Sequence, residues 1–407
     1  MDDQARAIGL RVRYWRTRRN LSRRRFADMV GRSTSWLDKI EKGERHLLRL
    51  PVLERVADAL GVDPAALTDS VAAARAADCV DALEVQAIRT ALGRYPSFST
   101  RGTGSTRVAT LARVVGQLAY VEHAWASSHF MVVSQYLPGL LGDAQVVTSA
   151  ASTADQVAAH RALVVAYRLA SSVLLKFGAN DIAWLAADRA MHVAVAVDDT
   201  VALARATRSV ARAMSSSGQR DDALTALIGM TDRIRPELPV REQELLSLNG
   251  MLFLAGAVTA ARHDDAALAL AMHQEAELTA DRMGPRHETH RTSFGHANVA
   301  IHRVAALVRL HEGGRALEYA QGIAPELIGA LPPERHANYL LDLTEAYIHT
   351  GRYPDAVRTL GKAEQAAPEE VRCRPLGHGL LRSLVEHTSG EPSRLVRQMA
   401  TRAGVTA

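Results

Sequence analysis

The sequence predicts an all-α chain: a small basic bundle of helices at the N-terminus followed by a long stack of helical hairpins. Three observations lead there. Aromatic residues make up only 5% of the 407 residues while hydrophobic ones reach 47%. The apolar residues are chiefly Ala, Leu and Val, which suit closely approaching helices better than a sheet-rich core. Turns with a similar ending recur every 40 to 50 residues in the second half, the period of a helical hairpin plus a loop. Charge is also divided: residues 1–50 hold 14 Lys and Arg against 6 Asp and Glu, a net of +8, and the rest hold 35 against 38, a net of −3.

Taken in order, residues 4–19 read as a first helix, with Ile8, Val12 and Trp15 stepping along one face. The stretch 21–45 then has the spacing of two short helices joined by a tight turn. Ser22 is placed to cap the first, Phe26, Ala27 and Val30 face inward, and Gly31 tolerates the left-handed backbone of the turn. Ser33 caps the second, whose Leu37 and Ile40 form one apolar side. Its outward face carries Thr34, Ser35, Asp38 and Lys39, the short or hydrogen-bonding side chains that a helix entering a major groove requires. Arg16, Arg18, Arg19 and the run Arg23, Arg24, Arg25 flank the motif where duplex phosphates would lie.

At Leu21-Ser22, Arg23, Phe26-Ala27, Gly31, Ser33 to Lys39 and Ile40-Glu41-Lys42-Gly43 the sequence resembles the lambda-repressor-like (XRE) helix-turn-helix family. The likeness continues through Leu53, Val56, Ala57, Leu60, Gly61 and Val62, so it covers about a sixth of the chain. It departs at Phe26, where an aliphatic residue is usual, at Arg32, where Val is common, and at Arg23, where Gln often sits. The resemblance implies double-stranded DNA as a partner. Arg23, Arg24, Arg32 and the amides opening the second helix are expected at phosphates. Thr34, Ser35 and Lys39 are expected to reach base edges, with Lys39 placed to read guanine, and Ser33, Asp38 and Arg45 complete the expected DNA-binding set.

Beyond residue 70 the Ala-rich stretch 71–92 reads as a connecting helix, and residues 94–105, rich in Pro, Gly, Ser and Thr without periodicity, as a flexible joint. Gly102, Gly104 and Ser105 do not make a phosphate loop, because no strand precedes them and no Gly-Lys-Ser/Thr follows. The domain plan is therefore 1–70, a connector 71–105, a helical-repeat domain 106–390 and a tail 391–407.

In the repeat domain, four turns lead into Ala223, Ala266, Ala316 and Ala356, spaced by 43, 50 and 40 residues. The last unit is clearest, with Leu340, Leu343, Thr344, Tyr347, Gly351, Tyr353, Ala356, Leu360, Ala363 and Pro368. It resembles the tetratricopeptide (TPR) pattern, with Thr344 in place of the usual Gly. Residues 184–190 resemble the sensor arrays of actinobacterial HTH-TPR regulators. One hairpin cannot bury its apolar stripes alone, so hairpins stack into a superhelix with a concave inner surface. Asn298 and Asn338 each lie 18 residues before a repeat alanine, and Asn249 falls near the same register. An Asn amide offers donors and an acceptor suited to the main chain of an extended peptide. The resemblance to the peptide-sensing RRNPP type implies that these three asparagines line a ligand groove.

Enzyme readings find no support. His287, Glu288 and His290 lack the four-residue spacing of a zinc-protease helix, and there is no Gly-x-Ser-x-Gly elbow. Cys79 and Cys373 offer no metal-ligand spacing. No run reaches the roughly 18 uninterrupted apolar residues of a membrane span and the N-terminus is charged, so a cytoplasmic, cofactor-free protein is expected. The sequence thus reads as a transcriptional regulator, a homodimer whose repeats sense a peptide or small molecule. The alternative is a helix-turn-helix-tethered scaffold whose repeats recruit a protein partner.

Overall fold

The computed structural model describes every residue except 1–2, 20, 48, 71, 74–78, 95–108, 239–241, 285–291 and 406–407. Among the described residues there are helices and no strand, as the composition predicts. The chain divides into two compact units, residues 1–83 and 84–407.

The first unit contains α1 (Asp3–Arg18), α2 (Arg23–Val30), α3 (Thr34–Glu41), α4 (Leu50–Leu60) and the short α5 (Ala65–Thr68). Its core is built from Ile8, Val12 and Trp15 of α1, Phe26, Ala27 and Val30 of α2, Leu37 and Ile40 of α3, and Leu53, Val56 and Leu60 of α4. The helix ends follow local chemistry. Ser22 Oγ accepts from Arg25 N at 3.2 Å and Ser33 Oγ from Trp36 N at 3.1 Å, satisfying amides that have no partner inside the helix. Gly31 ends α2 at φ 67°, a conformation that costs most residues a Cβ clash. Helix α1 crosses α3 so closely that a Cβ on Gly9 would stand 2.1 Å from the Ile40 carbonyl oxygen.

The division falls within the first turn of α6 (Ala82–Leu92), whose Ile88, Ala91 and Leu92 join the large core of the second unit. Hairpins follow: α7 (Leu111–Ala126) with α8 (Phe130–Ser149), α9 (Gln156–Lys176) with α10 (Asn180–Val197), and α11 (Thr200–Ser216) with α12 (Arg220–Ile234). Next come α13 (Glu242–Ala261) with α14 (Ala266–Met283), then α15 (His296–Arg309) with α16 (Gly313–Gln321) and the short α17 (Pro325–Gly329). The series ends with α18 (Pro333–His349), α19 (Tyr353–Ala366), α20 (Pro368–Arg372), α21 (Pro375–His387) and α22 (Gly390–Ala403). The first helices of successive pairs, α7, α9, α11, α13, α15 and α18, also pack on one another, and α18 returns to touch α7. They form an inner row, and the second helices stand behind it.

Several expectations change here. The stretch 71–105 is not one connector, because the end of α6 belongs to the second unit's core, while residues 95–105 lie outside the described set. The stretch 391–407 is helical through Ala403 and buries Val396, Met399, Ala400 and Ala403 against α19 to α21. Its apolar residues step by three and four, so it closes the stack instead of trailing from it. Ala223, Ala316 and Ala356 are fully buried, but Ala266 is exposed and Ala269 takes the corresponding place. Asp265 is the reason: its side chain caps α14 through Leu268 N and ties to Arg220, moving the buried face three residues on. Two helices, Gln156–Lys176 and Gln243–Ala261, do have the length and hydropathy to cross a membrane. Their apolar windows are 72% and 78% buried within the unit, as core helices would be.

Candidate nucleic-acid interface and inner chamber

In the first unit, α3 is fixed on one side and open on the other. Leu37 and Ile40 are sealed in the core, while Thr34, Ser35 and Lys39 are exposed and make no ion pair among the described residues. Thr34 and Ser35 lie in the first turn and Lys39 on the turn after, so all three sit along the outer surface of one short helix. A shallow hollow beside the start of α3 gathers Arg32, Ser33 and Arg45 with Trp36. The Arg32 guanidinium stands 5.8 Å from the Trp36 ring centroid, which holds at the rim a cation with no ion-pair partner among the described residues. Arg24 is exposed and has no ion-pair partner among the described residues.

Residues 7–70 match the family model of the helix-turn-helix domain. The first unit carries a helix-turn-helix domain. No curated protein and no solved structure matches the chain. Helix-turn-helix domains are DNA-binding modules, and the match supports DNA as a partner of the first unit.

Within the helix-turn-helix domain the structure redistributes the expected phosphate contacts. Arg23 turns back to Glu41 at 3.2 Å and lies 3.9 Å from Asp38. Glu41 is buried and also held by Arg16, with contacts of 2.5 and 3.1 Å. Arg16 and Arg23 are therefore the clamp on a buried carboxylate at the end of α3, since an unpaired buried charge would cost several kcal/mol. Arg18 donates to the Cys79 carbonyl, and Arg19 to the Leu60 carbonyl and to Asp81, so these two are structural cations as well. Asp38 pairs with Lys42 at 2.6 Å, and that hydrogen bond lowers its carboxyl below the usual range and raises the lysine. Ser33 spends its hydroxyl on the Trp36 amide. The sequence missed Glu41 as the organiser of these arginines; its signal was an acidic residue following the apolar Leu37 and Ile40 at helix spacing.

The inner row of the second unit encloses a cavity of about 520 Å³, lined from α9, α11, α13, α15 and α18, with a smaller chamber of about 90 Å³ beside it. The chambers share Arg208, Glu334 and Arg335. A buried ion cluster closes one side. Glu370, with no exposed surface, receives Lys176 Nζ at 2.5 Å, Asn338 Nδ2 at 3.1 Å, Ser128 Oγ at 3.3 Å and the Arg374 guanidinium. Lys176 also meets Glu334 at 2.8 Å. Burial and the neighbouring Arg374 push the lysine below its ordinary value, while Lys176 and Arg335 overcome burial and hold Glu334 at about 2.

Of the three asparagines expected in the groove, only Asn338 lines the cavity, and its amide is taken by Glu334, Glu370 and Arg374. Asn298 is fully buried, with Nδ2 3.3 Å from the Met251 sulfur. Asn249 is buried as well, and among the described residues the Oδ1 atoms of Asn249 and Asn298 have no hydrogen-bond partner. Next to Asn249, the Phe294 ring seats so close to α13 that a Cβ on Gly250 would fall 1.9 Å from it. Equal register therefore gave unequal surroundings. At this cavity burial and the cations of Arg335 and Arg208 push His302 down to about 3, so its ring is neutral near pH 7. The triplet His287, Glu288 and His290 lies outside the described residues.

Proposed function

We propose that this chain is a sequence-specific transcription regulator, a homodimer in which α3 reads a half-site and the hairpin stack senses a peptide or small molecule. The observation that carries the reading is the two-sidedness of α3, whose inner residues are locked and whose Thr34, Ser35 and Lys39 are exposed. In this arrangement Arg24, Arg32 and Arg45 grip phosphates, while Lys39 supplies the base contact. Two copies would read half-sites about 34 Å apart, one turn of duplex. A ligand controls such a dimer only if it binds one arrangement of the heads better than another.

Mobility-shift titrations of the full chain at several salt concentrations test the assignment. Lys39→Ala should relax sequence preference at a cost of about 1 to 3 kcal/mol, whereas Arg24→Ala should weaken all duplexes alike and lower the salt slope by roughly one. Equal losses on cognate and random duplex for Lys39→Ala would refute its base-reading role.

A further inference from the structure

The inner surface pairs its cations carefully, with one exception. Arg309 meets Asp342 and Glu345, Arg168 meets Glu122, Arg374 meets Glu370, and Lys176 meets Glu334 and Glu370. By contrast Arg208, Arg212 and Arg262, all lining the larger chamber, have no carboxylate within ion-pair distance among the described residues. The nearby Arg335 has only a 3.5 Å contact with Glu334, whose other oxygen is engaged by Lys176. Among the described residues the Arg212 side chain bonds only to the Ser172 hydroxyl at 3.3 Å, and Arg208 Nε has no hydrogen-bond partner. Arg208 and Arg212 are four apart on α11, where like charges repel. Burial and the surrounding cations push Arg212 down to about 10 and Arg208 well below the ordinary arginine value. Such a cluster is unfavourable without a counter-charge, and a bound anion would relieve it.

We propose that the larger chamber binds a small phosphate-bearing metabolite, its phosphate held by Arg208, Arg212 and Arg262 and its apolar part lying along Leu254, Val258 and Ile301. The volume of about 520 Å³ is that of a small-molecule site. Three guanidinium forks without carboxylate partners call for more than one negative charge, and their planar donors match phosphate oxygens. An extended peptide is disfavoured, since two of the three asparagines that would meet its main chain are packed away and the third is already bonded. The proposal rests on the reading of the hairpin stack as a sensor and names the chemistry of its ligand.

Calorimetric titration of the full chain with inorganic pyrophosphate tests it, with citrate as the carboxylate comparison. The expected result is one saturable site per chain that prefers pyrophosphate to citrate and weakens at least roughly tenfold in Arg208→Gln with Arg212→Gln. Arg262→Gln, at the exposed mouth, should weaken it too and guards against a folding failure of the double variant. Arg24→Ala with Lys39→Ala should leave this site within about twofold. No saturable heat, loss only in the Arg24 and Lys39 variant, or an equal preference for citrate overturns the proposal. Running the mobility shift with and without pyrophosphate separates it from the sensor reading. Chamber binding with unchanged DNA affinity sinks the sensor alone, whereas no anion binding alongside a DNA response to another signal sinks the phosphate site alone.

Discussion

Removing the Glu370 side chain should destabilise the second unit by about 3 kcal/mol, the lower end of the range for stripping one partner from a buried ion pair. This carboxylate joins four stretches that are distant in sequence: Ser128 between α7 and α8, Lys176 at the end of α9, Asn338 on α18, and Arg374 just before α21. In Glu370→Ala, Lys176 would still meet Glu334 at 2.8 Å and sit 4.7 Å from the Phe130 ring centroid, which keeps the loss at that lower end. Glu370→Gln preserves an acceptor without the charge and should cost about 1 to 2 kcal/mol. Hydrogen exchange along a urea series, read on the amides of α9 and α18, measures both. Lys176→Met combined with Glu370→Ala should cost less than the sum of the two alone, because the second loss removes a charge already stranded. Strict additivity, or a loss below about 1 kcal/mol for Glu370→Ala, would refute the view that this cluster holds the inner row together.

Gly9→Ala should cost the helix-turn-helix domain about 1 to 3 kcal/mol by forcing α1 away from the Ile40 carbonyl, seen as a lower melting midpoint of residues 1–83. Ser33→Ala should cost about 1 kcal/mol through the lost cap on Trp36 and weaken binding to every duplex alike in a mobility shift. The second unit should lose stability as pH falls. His302 is neutral in the fold down to about 3 while the unfolded ring takes a proton below its ordinary value of 6.5, so the loss begins there at up to about 1.4 kcal/mol per pH unit. Glu334, held at about 2 against 4.5 unfolded, adds its own loss between those values. Urea midpoints at a series of pH values, compared with His302→Gln, should show the upper part of that slope disappear in the variant.

Much of the fold was legible because it depends on short-range spacing. The caps at Ser22 and Ser33, the turn at Gly31 and the apolar steps of Phe26, Leu37 and Ile40 all lie within one or two helical turns of the groups they serve. What was not legible depends on residues far apart in sequence. Nothing local says that Arg23 will turn to Glu41, that Phe294 will sit against Gly250, or that Asp265 will shift the buried face from Ala266 to Ala269. The arginines of the chamber are the clearest case. Arg208, Arg212 and Arg262 look like ordinary solvated helix residues until the inner row brings α11 and α13 together around one cavity. Charge counted over the whole region 51–407 was slightly acidic, which concealed a local basic site.

Selection from a pool of random duplexes by the full chain tests the central claim most directly. The account predicts one enriched motif, with half-sites a helical turn apart, that blurs in Lys39→Ala while overall DNA affinity persists. Recovery of no motif from the unaltered chain, at a salt concentration where it still retains duplex, would contradict it.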